Sequence, residues 1–186
     1  MTWNLVTFGD DKFKNKQDFL ANYAESLGMT THSYSYEWLT QQSFFKDNQN
    51  LFENSIAHGF FSWKPYILLD VFDKLDEGDI IFYCDTNDIF HSQLISYVEN
   101  LIEGDSCLLV LGGSKNKDWT KRDCFVLMDC DDEDYWDCTQ LEAGMCFWRV
   151  CDQTKQILLE WLDYCKDRRI ISDDSNVAGV DNFSSF

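Results

Sequence analysis

Proline is almost absent from this chain: one in 186 residues, with only nine glycines. No Pro-, Gly- and Ser-rich stretch interrupts it, so no linker is predicted and residues 1–186 read as one domain. Basic residues are scarce as well, 15 Lys and Arg against 33 Asp and Glu, for a formal charge of −18. That balance excludes partners held through clustered Lys and Arg, which rules out nucleic acid and anionic membrane surfaces. No apolar run approaches the ~20 residues that span a bilayer, and no basic-plus-apolar leader stands before the first strand. A cytoplasmic protein is therefore expected, in the host cytoplasm if the chain is virus-encoded. His32, His58 and His91 are scattered and form no H-E-x-x-H pattern. G-x-S-x-G, the P-loop and G-x-G-x-x-G are missing too, which removes support for serine hydrolases, P-loop NTPases and dinucleotide enzymes.

What is present is apolar and aromatic: 45% of the residues are hydrophobic, and Phe, Trp and Tyr make up 16% of the chain. A disordered acidic chain lacks aromatics, so this one folds. Its negative surface is compatible with a divalent cation, or with a substrate that brings one. The eight cysteines contain no CxxC pair, and Cys146 to Cys151 matches no common zinc spacing. Several lie inside apolar runs such as Ile80–Cys84 and Met145–Trp148. Free buried thiols are expected rather than disulfides or zinc ligands.

Periodicity alternates between strand and helix along the chain. Trp3–Phe8 reads as a strand ending at Gly9-Asp10, followed by a helix carrying Phe19, Leu20, Tyr23, Ala24 and Leu27 and stopping at Gly28. Thr30–Tyr36 reads as a strand, and Phe44, Phe45, Leu51, Phe52 and Ile56 as one helix ending before Gly59. Pro65 suits the first turn of the next helix. Ile80–Cys84 is the strongest strand signal, and Cys107–Leu111 reads as another buried strand. Helix over 92–102, strand over 140–150 and amphipathic helix over 154–165 complete the series. Continuous apolar strands between helices predict a Rossmann-like α/β/α sandwich with a mainly parallel central sheet.

Chemistry is expected beyond the Ile80–Cys84 strand, where Asp85-Thr86-Asn87-Asp88 follows at once. Ligands of open α/β sheets bind outside the carboxyl ends of strands. Asp85, Asn87 and Asp88 there offer oxygen ligands to Mg²⁺ or Mn²⁺, which would neutralise a diphosphate; alternatively they only form the turn. In Gly59-Phe60-Phe61-Ser62-Trp63-Lys64-Pro65, Lys64 beside a helix N-terminus can meet a phosphate, or stand solvated in a turn with Trp63 in the core. In Trp119-Thr120-Lys121-Arg122-Asp123, Arg122 can clamp a phosphate or carboxylate, or pair with the surrounding acids. The run Asp129, Asp131, Asp132, Glu133 and Asp134 lacks the sixth-position glycine of an EF-hand loop and has Gln140 at the twelfth, so a solvated loop is expected.

Gly59-x-x-x-Trp63-Lys64-Pro65, Gly78-Asp79-Ile80-Ile81-Phe82-Tyr83-Cys84-Asp85 and Trp119-Thr120-Lys121-Arg122-Asp123, in that order, resemble small GT-A, nucleotide-diphospho-sugar transferase-like proteins of bacterial and viral genomes. The later Tyr135-Trp136-Asp137-x-x-Gln140-Leu141-x-Ala143-Gly144 stretch also looks like that family. The resemblance implies a single GT-A-like domain that transfers sugar from a nucleotide-sugar donor to a glycan, protein or small-molecule acceptor. A divalent metal, Mn²⁺ or Mg²⁺, would bridge the diphosphate. It places Thr7, Phe8 and Gly9 at the nucleotide, Trp63 and Lys64 near the phosphates, and Trp119, Arg122, Tyr135, Trp136 and Gln140 toward sugar or acceptor. Asp85 matches the first carboxylate of a D-x-D motif; Asn87 departs at the third position, with Asp88 next. The family usually continues into a His-Asp segment beyond the point where this sequence stops, so a C-terminally shortened domain is expected. A nucleotide- or glycan-binding remnant without turnover is the alternative reading. An acidic protein imitating nucleic-acid charge is a third, and it predicts no pocket at Asp85.

Overall fold

Seven consecutive buried residues, Trp3–Gly9, form strand β1, whose run of apolar side chains needs cover on both faces. In the computed structural model, which describes residues 1–52 and 55–184, β1 lies between β2 (Thr30–Ser35) and β3 (Ile80–Cys84), parallel to both. The long strand β5 (Thr139–Arg149) runs antiparallel to β3, and β4 (Cys107–Lys115) closes the far edge antiparallel to β5. The sheet order is β2-β1-β3-β5-β4, so all strands except β5 point the same way. This is the expected α/β sandwich with a mainly parallel sheet.

Alternation along the strands splits the core into two layers. Val6, Phe8, Ile81, Tyr83 and Trp148 face helices Lys64–Phe72 and Asp152–Tyr164, meeting Ile67, Leu68, Val71, Leu158 and Leu162. Trp3, Leu5, Ile80, Phe82 and Phe147 face helices Lys14–Ser26 and Gln93–Leu101, meeting Leu20, Ala24 and Val98. Phe82 and Phe147 stack across β3 and β5 at 4.6 Å. Helix Lys14–Ser26 ends as expected, with Gly28 just beyond it at φ +86°. Pro65 occupies the first turn of helix Lys64–Phe72. Among the described residues no helix is long and apolar enough to cross a membrane.

Three expectations need correction. The single helix over Phe44–Ile56 is instead two short pieces, Ser43–Asp47 and Gln49–Phe52, and the stretch over 53–54 lies outside the described residues. Asn48 interrupts it: its side-chain amide donates to Phe44 O at 2.8 Å while its own backbone leaves helical geometry. Strand β4 is an edge strand with Leu111 exposed rather than a buried one, because β5 inserts between it and β3. Of the eight free cysteines only Cys84, Cys146 and Cys165 are buried; Cys107 lies on this edge, Cys124 on the short helix Arg122–Leu127, and Cys130, Cys138 and Cys151 between elements.

Candidate functional site

The connection from β1 goes to β2 on one side, and the chain later returns as β3 on the other. The carboxyl ends of β1 and β3 therefore flank a switch point, the place where open α/β sheets leave a crevice. Asp10 follows β1 there and Asp85 follows β3.

Asp85 is held from several sides. Tyr83 OH donates to its Oδ1 at 2.5 Å, and Lys64 Nζ stands 3.1 Å from Oδ1 and 3.3 Å from Oδ2. Its backbone N–H donates to Gly144 O at 2.8 Å, which pins the loop to β5. Lys64 is only 5% exposed at its side chain and also donates to Ala143 O at 2.8 Å. The ammonium lies 4.7 Å from the Tyr83 ring centroid and 4.9 Å from that of Phe61. Burial, then the Asp85 carboxylate, pushes the Tyr83 hydroxyl well above its ordinary pKa, so it stays a proton donor to Asp85. Burial likewise raises Cys84 and Cys146 to about 12, and neither offers a thiolate.

Phe61 reaches Lys64 through an uncommon turn. Ala57, His58, Gly59, Phe60 and Phe61 all have positive φ, from 48° to 87°. Such a conformation costs a non-glycine residue about 1–2 kcal/mol. It is offset by Gly59 N–H on Ser55 Oγ at 2.8 Å, Phe60 N–H on Ile56 O at 2.8 Å and Trp63 Nε1–H on Ala57 O at 3.2 Å. The same turn stacks the His58 ring on Tyr36 at 4.0 Å and sets its Nε2 3.4 Å from Asp10 Oδ2.

Asp85 and Asp88 share one small space. A Cβ on Gly144 would stand 3.2 Å from Asp85 Oδ2 and 3.1 Å from Asp88 Oδ2, so only a residue without one leaves both oxygens facing it. The donor set is of hard oxygens, which fits Mg²⁺ or Mn²⁺. It is also sparse: among the described residues no three His, Cys, Asp or Glu side chains form a group able to hold a metal. Two carboxylates leave most positions for water or a phosphate-bearing ligand, the usual manner of Mg²⁺. Asn87 Oδ1 accepts from Lys16 Nζ at 2.7 Å on the exposed rim.

Burial raises the Asp88 pKa, as do the Asp85 and Glu142 carboxylates, with Lys64 opposing. A carboxyl whose folded pKa lies above its unfolded value binds more protons when folded. Its penalty is absent at low pH and appears as pH rises through the window between the two values. Asp88→Asn is thus expected to raise the melting temperature at pH 7 by only about 1 °C, because solvent screens this part-exposed group. Thermal melts of the metal-free protein at pH 3 and pH 7 check it; an equal gain at both pH values counts against the assignment.

The other residues singled out in the sequence are placed as follows. Thr7 and Phe8 are buried at the end of β1, Phe8 stacks on Trp63 at 3.8 Å, and both rings belong to the core behind Lys64. Thr7 Oγ1 is buried with no partner in the structure. Gly9 abuts Gln17, whose side chain ties β1 to β2 by donating to Thr7 O and Tyr34 O. No hydrogen bond, ion pair or ring contact among the described residues links Arg122 with Asp85. Arg122 pairs with Asp131 through Nε at 3.0 Å and Nη2 at 3.2 Å, and lies over Trp136 and Phe183 at 4.5 and 5.0 Å. Asp131 also accepts from Trp136 Nε1, and Asp132 caps the turn at Glu133–Trp136, so the acidic run is part of a built surface rather than only a solvated loop. Trp119 is 69% exposed, Tyr135 is exposed, and Gln140 is half-buried in β5.

Tyr83 and Gly144 stand in the quoted motifs without a site role, and the Asp10–His58–Tyr36 group was not singled out from the sequence. Tyr83 is two residues before Asp85 on one strand face, a usable signal hidden inside an apolar run. Gly144 has no such signal, since nothing local ties it to a loop 59 residues away.

No protein-family model matches this chain, and no curated protein matches it. Among solved structures it is similar to an active-site mutant of LgtC, at 11% identity and a TM-score of 0.48. The likeness covers 91% of this chain and 66% of that one, so the chain spans just under two thirds of its length.

Proposed function

We propose that this chain binds a nucleoside diphosphate-sugar across the carboxyl ends of β1 and β3, with a divalent cation at Asp85 and Asp88, and transfers the sugar to an acceptor. The observation that carries the reading is the convergence of Asp85 Oδ2 and Asp88 Oδ2 over Gly144. When bound, Mn²⁺ or Mg²⁺ supplies positive charge to a departing diphosphate. The chain's own groups prepare that site. Tyr83 and Lys64 fix the Asp85 carboxylate, so its orientation costs nothing at binding. Lys16, exposed on the rim, donates to Asn87 Oδ1 and lies over the Phe13 ring at 5.7 Å, from where its side chain can turn to phosphate oxygens. Gly9 and the backbone at the end of β1 border the nucleotide side, while exposed Trp119 and Tyr135 offer stacking faces to sugar or acceptor.

A second reading, binding without turnover, is favoured by the sparse ligand set and by Asn87 being engaged with Lys16. Calorimetric titration with UDP- and GDP-sugars, with and without Mn²⁺, tests what the two share. Metal-dependent binding is expected, and its absence in the folded protein overturns both. Release of free sugar or its transfer in a sensitive donor-hydrolysis assay then excludes the second.

A further inference from the structure

We propose that Lys64 is a resident counter-cation: it orients Asp85 and keeps the affinity for a free divalent cation low, so that the cation loads together with a diphosphate-bearing ligand. This rests on the function proposed above and concerns how that site is filled.

Lys64 is already committed where it stands. An ammonium has three N–H donors. Here two of them are used, on Asp85 Oδ2 at 3.3 Å and Ala143 O at 2.8 Å, while Asp85 Oδ1 stands 3.1 Å away as an ion-pair contact and the faces of Tyr83 and Phe61 flank the ammonium. Turning to an incoming phosphate would abandon Asp85. Stability gives little reason for a charge at this position. Lys64 opens helix Lys64–Phe72, whose N-terminal dipole end repels a cation, and buried ion pairs add little over well-packed apolar side chains. What the ammonium does supply is charge next to the two converging carboxylates. With it, the Asp85 and Asp88 carboxylates, with Glu142 nearby, face one positive group, so a free dication meets a partly neutralised site and a nearby like charge. A diphosphate supplies the negative charge that the protein withholds.

The test is Mn²⁺ binding, followed by calorimetry and by the electron paramagnetic resonance signal of free Mn²⁺, with and without UDP or GDP. Wild type is expected to bind Mn²⁺ weakly alone and more tightly with the nucleotide. Lys64→Met is expected to bind Mn²⁺ alone about tenfold tighter, with a smaller gain on adding nucleotide. Lys64→Arg keeps the charge and should stay near wild type. Circular dichroism verifies folding, and Lys64→Gln replaces Lys64→Met should that variant fail to fold. A folded neutral variant no tighter than wild type overturns the inference while nucleotide-dependent Mn²⁺ uptake leaves the proposed function standing. No Mn²⁺ uptake by wild type even with nucleotide removes the proposed function, and this inference with it.

Discussion

Asp123→Ala is expected to lower the melting temperature by about 10 °C, the equivalent of roughly 3–5 kcal/mol in a chain of this length. Asp123 is 0% exposed. Its Oδ2 stands 3.2 Å from Lys121 Nζ, itself buried, and it accepts the backbone N–H groups of Val177 and Ala178 at 2.8 and 2.9 Å. Removing the carboxylate strands a buried ammonium and two backbone donors at once. Lys121 Nζ also holds Arg169 O, and Arg122 N–H donates to Asn182 Oδ1, so the segment from 169 to 183 depends on this knot. Faster proteolysis in that segment should accompany the thermal shift, and a change under about 2 °C would sink the assignment. Burial alone would raise the Asp123 pKa, yet Ala178, Val177 and Lys121 outweigh it and hold the carboxyl below the usual range. Because the folded pKa is depressed, this stability is present above the ordinary carboxyl pKa and is lost as pH falls through the folded value. The wild-type advantage over Asp123→Ala should accordingly shrink in acid.

Asp85→Asn is expected to weaken Mn²⁺-supported nucleotide binding about a hundredfold, roughly 2.7 kcal/mol. The amide keeps the size of the carboxylate and can still accept from Tyr83 OH, so the loop should hold its shape. What disappears is the negative charge beside Asp88 over Gly144 and the counter-charge of Lys64. Calorimetry with UDP and Mn²⁺, alongside a melting curve showing a folded protein, measures it. Unchanged binding by the folded variant would place the cation elsewhere.

These two expectations concern residues that looked alike in the sequence, an Asp after a strand and an Asp beside a basic pair. Asp85 stood out because it follows the unbroken apolar run Ile80–Cys84, and such a run marks the carboxyl end of a buried strand. Asp123 did not stand out, since its partners Val177 and Ala178 lie more than fifty residues away. Arg122 had its two fates stated, ligand clamp or ion pair, and the fold that brings Asp131, Trp136 and Phe183 around it gives it the ion pair.

By itself the sequence determined most of the strands and helices, though not the break at Asn48, because burial imposes a period of two or 3.6 that side chains must obey locally. It determined the ends of helices at Gly28 and Pro65. Only the tertiary structure decided that β5 runs against β3, that β4 is an edge, and that five residues from Ala57 to Phe61 turn left-handed. It also decided which charges meet: Lys64 with Asp85, Lys121 with Asp123, Arg122 with Asp131. Periodicity records only whether a side chain is inside or outside. Coulomb and hydrogen-bond energies depend on distance in space, and that is set by how elements far apart in the chain pack together.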